Sequence, residues 1–156
     1  MKRITFIMAV AAALCAFSSC KKNADTGAQE VTIFGTWQQE KLVIEYVADY
    51  SAGSSSYKAG ETEENTVEEL GYTYTLVFNE DYSSKTILTI GGNTREASGK
   101  FTYDETTKVI SYIADGNITS KETVESLTAT ELRIKVELTT DGKLYAYRTE
   151  FFKKVK

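Results

Sequence analysis

Beyond residue 33 the chain alternates apolar and polar positions with a period of two. The cleanest run places Leu132, Ile134, Val136 and Leu138 against Arg133, Lys135 and Glu137. Side chains of a strand point alternately to two faces, so this run predicts a strand with one face buried. Tyr72, Tyr74, Leu76 and Phe78 alternate with Thr73, Thr75 and Val77, and Thr86, Leu88 and Ile90 return in phase. Further strands are predicted over residues 42–50, 99–103, 108–114 and 144–155. Residues 118–127 read as a strand or a short helix, and a strand is favoured. Gly91-Gly92-Asn93, Asp115-Gly116-Asn117 and Asp141-Gly142 supply hairpin turns, because these residue types accept positive φ.

Eight strands joined mostly by short turns define an all-β chain and a meander. A meander removes its open edges by closing, which predicts an eight-stranded antiparallel up-and-down barrel. A two-sheet β-sandwich is the alternative. One connection is long: residues 51–71 are Ser/Gly-rich and then acidic (Glu61, Glu63, Glu64, Glu68, Glu69), which reads as a mobile loop of the lid or binding type.

The first strand poses a parity problem. Trp37, the only tryptophan, is an odd position, whereas Leu42, Ile44, Tyr46, Ala48 and Tyr50 are even. In a regular strand these would face opposite sides. Turning the tryptophan out wastes the largest apolar side chain, and turning the even set out buries Glu45 and Asp49. A β-bulge within Gln38-Gln39-Glu40-Lys41 resolves the conflict.

Composition narrows the function. The chain has 156 residues, enough for one domain, with ten tyrosines, seven phenylalanines and no proline. Its formal charge is −4, and loss of Lys2 and Arg3 with a leader leaves 16 Lys+Arg against 22 Asp+Glu. An acidic domain without a basic stripe is poorly suited to nucleic acid. There is no histidine, and both cysteines, Cys15 and Cys20, precede the strands. The strand region therefore lacks the usual neutral-pH base and any thiol, so no catalytic residue, metal site or cofactor is assigned. The acidic run at 61–69 lacks the ligand spacing of a calcium loop.

The N-terminus has the layout of an export signal: Met1-Lys2-Arg3, an apolar segment from Ile4 to Phe17, and small residues before Cys20. Phe17-Ser18-Ser19-Cys20 resembles a bacterial lipobox, in which cleavage precedes a cysteine that receives lipid. The expected organisation is a lipoprotein signal peptide over 1–19, a flexible tether over 20–32 from lipidated Cys20, and a barrel domain over 33–156. By resemblance to Gram-negative lipoproteins, Lys21 after the cysteine favours the outer membrane.

Gly35-Thr36-Trp37 opening the first strand of an exported β-rich domain resembles the lipocalins, and more closely the bacterial lipocalin-like lipoproteins. The terminal Phe151-Phe152-Lys153-Lys154 fits that layout. The family's later turn motif is not matched at Ser126-Leu127-Thr128-Ala129-Thr130. Its arginine over the tryptophan would be Arg148, or Lys153 in its place. The resemblance implies a barrel that holds a small apolar or amphipathic ligand. Trp37, Tyr72, Tyr74, Phe78, Phe101, Tyr103, Tyr145, Tyr147 and Phe151 are the candidate lining residues. The same aromatics could instead fill the interior, which in an eight-stranded barrel is only just wide enough for side chains or one small ligand. The chain would then be a non-enzymatic structural or interaction module of the envelope.

Overall fold

The computed structural model describes residues 31–155. The expected signal peptide, Cys20 and the tether through residue 30 lie outside the described residues. The strands are β1 (Gly35–Tyr46), β2 (Tyr50–Ala52), β3 (Ser55–Tyr57), β4 (Thr62–Thr66), β5 (Tyr72–Phe78), β6 (Ser83–Ile90), β7 (Asn93–Asp104), β8 (Val109–Ala114), β9 (Asn117–Leu127), β10 (Glu131–Thr140) and β11 (Lys143–Lys154). From β5 to β11 each strand pairs antiparallel with the next, and β1 pairs with both β5 and β11. The sheet therefore closes into an eight-stranded barrel, and the sandwich alternative is excluded.

The parity conflict in β1 is resolved by a bulge. Gln39 pairs with Phe152 and Lys41 with Phe151, leaving Glu40 as the extra residue. Trp37 is wholly buried, and Tyr46, on the far side of the bulge, is buried as well. The strand ends at Tyr46, short of the expected Tyr50, where β2 and β3 begin a small separate hairpin.

The connection over 51–71 is built, not featureless. β4 pairs with Lys41–Glu45 of β1, outside the reach of β5. Its acidic residues have individual partners: Glu63 accepts from the Tyr46 hydroxyl at 3.0 Å and Glu64 pairs with Lys41 at 2.7 Å. Glu69 accepts from the Thr66 backbone N–H and hydroxyl, tying off the turn into β5. A strand stabilised by backbone pairing and charge has no hydrophobic period to announce it.

Three hairpins have two-residue tips with positive φ at both positions: Gly91-Gly92, Asp115-Gly116 and Asp141-Gly142. That geometry matches the twist of the flanking strands. The hairpins outrun the closed wall. β7 pairs with β8 only over Lys100–Asp104, and β9 with β10 only over Thr123–Leu127. Residues 93–99 and 117–122 thus continue on one-sided pairing, and the barrel splays into separate hairpins at this end.

The opposite end is solid. Trp37, Phe78, Phe101, Ile110, Leu132, Ile134 and Phe152 pack together with Ile33, Leu76 and Val124. Burying side chains of this size stabilises the fold by roughly 1.5–3 kcal/mol each, which makes this cluster its anchor.

Candidate ligand site in the barrel

Cross-strand partners share a face, so the register identifies the inner surface. On β11 the even residues face in: Phe152 pairs with Leu132, Glu150 with Ile134, Arg148 with Val136 and Ala146 with Leu138. On β5 and β6 the inward pairs are Phe78 with Ser84, Leu76 with Thr86, Tyr74 with Leu88 and Tyr72 with Ile90. Tyr103 with Ile110, and Ile110 with Glu122, continue the inner face through β7, β8 and β9.

The floor is set by Trp37. Its indole N–H donates to the Ile33 carbonyl at 2.7 Å, and the Lys154 ammonium lies 5.0 Å from the ring centroid. The cation over the tryptophan is therefore Lys154, the cross-strand partner of Trp37. Arg148 is too far along β11 to reach it, and Lys153 faces outward to pair with Glu40 at 2.9 Å.

Above the floor the inner face turns polar. Arg148 Nε lies 2.7 Å from Glu150 Oε1, yet its N–H is not aimed at that oxygen, so the contact is ionic without a well-formed hydrogen bond. The Tyr112 hydroxyl donates to Glu122 at 2.9 Å, and the Tyr72 hydroxyl donates to Gln39 Oε1 at 2.9 Å. Glu150 alone contacts the guanidinium in this layer, while Glu122 is near enough to feel its charge. Glu150 is only 8% exposed. Burial, with Glu122 reinforcing and Arg148 opposing, pushes its pKa up to about 6. Burial also raises Glu122, partly offset by Tyr112 and Arg148. Tyr74 is pushed up to about 12 by burial and then by both glutamates, and burial with Glu122 raises Tyr112 as well. The tyrosines stay protonated as donors.

Beyond this layer the splayed β6–β7 hairpin turns its inner face to the mouth. Leu88, Ile90, Asn93, Thr94 and Arg95 line a concavity of about 540 Å³. Ile90 is 55% exposed although it lies on the inner side. The concavity is open, since the β6–β7 hairpin alone supplies its lining.

The candidate lining residues divide by depth and face. Trp37, Phe78 and Phe101 fill the floor, while Tyr72 and Tyr74 belong to the polar layer. Tyr103 faces inward at the closed end. Tyr145 sits at a register shift between β10 and β11, stacked on Tyr50 at 3.8 Å. Tyr147 and Phe151 are corrections: they lie on the outer face, opposite Glu137 and Arg133. Lys135 covers the Tyr147 ring at 4.3 Å, and Lys41 and Arg133 flank Phe151 at 4.8 and 5.1 Å. Cationic stems shield these rings from water, so β11 can keep aromatics outside and a neutralised Arg–Glu pair inside. Glu122, Glu150, Tyr112 and Gln39 were absent from the candidates. Their signal was the charge at Arg148 and Glu150 on the same parity as Ala146 and Phe152.

These features define a closed antiparallel barrel with a solid floor, a polar middle and an open mouth. The lipocalin-like domain family model matches residues 33–134, and the chain belongs to that family. No curated protein matches the chain.

Proposed function

We propose that the protein is a non-enzymatic, envelope-tethered lipoprotein that holds a small amphipathic ligand at the barrel mouth. The observation that carries this reading is the stacking of unlike layers on one inner surface. The partly buried Leu88 and the exposed Ile90 would take the apolar part of a guest. The tyrosine–glutamate–arginine layer beneath would take its polar end, since buried donors and acceptors orient a ligand more than they tighten it. The absence of histidine from the sequence favours binding over catalysis. The anchor would be the lipid on Cys20, in the outer membrane, with no nucleic-acid partner.

The solid floor favours a second reading, an interaction module whose core is simply filled. Titration with a dansylated undecanoic acid separates the two. Saturable binding weakened at least tenfold by Ile90→Glu is expected for a mouth site, and no saturation would support the filled module.

A further inference from the structure

A second concavity lies at the closed end of the barrel. It measures about 300 Å³ and is walled by Ile33, Phe34, Tyr82, Tyr103, Val124 and Leu127, with Glu105, Lys108 and Glu125 on its rim. It is separated from the mouth by the filled floor, so a guest of the barrel does not account for it.

Two features set this groove apart from an ordinary surface dent. The Tyr103 hydroxyl is buried and has no hydrogen-bond partner among the described residues. An unmet buried donor costs about 1–3 kcal/mol, which an acceptor placed beside it would recover. Burial, and then Glu105 and Asp104, raise the Tyr103 pKa, so the group remains a donor. Backbone conformation supplies the second feature. Among the described residues, four that are not glycine have positive φ: Tyr82, Lys108, Asp115 and Asp141. The two aspartates precede glycine in hairpin tips, where this is expected. The other two, Tyr82 (φ 60°) and Lys108 (φ 58°), both line the groove. Both sit in hairpin connections, between β5 and β6 and between β7 and β8, yet neither is the glycine, asparagine or aspartate that adopts this region most cheaply.

We propose that this groove is a second binding site, for a small planar aromatic molecule bearing a neutral carbonyl that accepts a hydrogen bond from Tyr103. The walls favour a flat guest. Phe34 meets Tyr82 edge-on at 5.6 Å and 83°, and Tyr82 is 49% exposed, leaving aromatic surface for stacking. The rim favours a neutral acceptor over an anion, because Glu105 and Glu125 outnumber Lys108. The hydroxyl is itself closed off from solvent, so a guest reaches it only with a small displacement of the groove wall.

The test compares acetophenone with ethylbenzene, which has nearly the same shape without the carbonyl, by amide chemical-shift titration of the full chain. Saturable shifts are expected at Phe34, Tyr82, Lys108 and Leu127, with acetophenone binding about tenfold tighter. Tyr103→Phe, which removes only an unpartnered hydroxyl, should bring the two probes within about twofold. Lack of saturation at these residues, equal affinities in the unaltered protein, or a preference that survives Tyr103→Phe would each overturn the proposal.

Discussion

Trp37 and Tyr46 are buried on the same inner face of the barrel although an odd number of positions separates them on β1. The extra residue, Glu40, makes this possible by shifting the register against β11. Trp37 thereby seals the floor, and Tyr46 reaches the mouth end to bond Glu63. The bulge joins the two ends of the barrel through one strand.

Deleting Glu40 should be far worse than replacing it. Glu40→Ala loses only an exposed ion pair with Lys153, which water screens, so little stability goes with it. Removing the residue altogether restores a regular register and turns either Trp37 or the Leu42–Tyr46 set outward, at a cost of roughly 4 kcal/mol or more. Urea unfolding of both variants checks this. A deletion variant within about 1 kcal/mol of the unaltered protein would contradict it.

The polar layer gives stability a definite pH slope. Glu150 in the folded chain has a pKa of about 6, above the ordinary carboxyl value, so folding favours its protonated form. The folded state therefore binds more protons than the unfolded one between about pH 4.5 and 6, and stability falls as pH rises through that window. The shift corresponds to about 2 kcal/mol. Glu122 is raised as well and acts in the same direction. Asp49, Glu69, Asp81 and Asp104 are lowered, so their contribution is lost only as pH falls below the ordinary carboxyl range. Urea midpoints should be higher at pH 4.5 than at pH 7, and Glu150→Gln should flatten the difference. A higher midpoint at pH 7 in the unaltered protein would show that Glu150 is not held as described.

Much of the wall was legible in the sequence because alternation and turn chemistry agree there. Leu132 to Leu138 and the Asp141-Gly142 tip define the β10–β11 hairpin without help from tertiary contacts. The bulge was legible too, since Trp37 and Leu42 cannot share a face without one. Three things were not. β4 is polar on both faces and is held by backbone pairing and single ion pairs, so no periodicity reveals it. The sides of β11 were assigned by its aromatics, whereas pairing with Leu132 and Ile134 sends Phe152 and Glu150 inward. The polar layer depends on Glu122 of β9 coming onto one face with Arg148 and Glu150 of β11 across the intervening β10, which the register of the three paired strands sets.

Tethering is expected to depend on a single thiol. Cys20→Ala should abolish incorporation of a clickable palmitate analogue into the protein, because Ser18-Ser19-Cys20 would end the proposed export signal and the other cysteine, Cys15, lies within the apolar segment. Undiminished labelling of the variant would contradict lipidation at this residue.

We propose that the barrel carries a guest at its mouth, and native mass spectrometry of the protein purified from its native cells tests this most directly. A one-to-one adduct of a small molecule is expected on the unaltered protein. The adduct should be lost from the Leu88→Glu/Ile90→Glu variant, which charges the apolar wall of the concavity, and retained in Tyr103→Phe, which alters only the closed end. An unaltered protein that shows only its bare mass, or an adduct that survives Leu88→Glu/Ile90→Glu, would contradict ligand binding at the mouth.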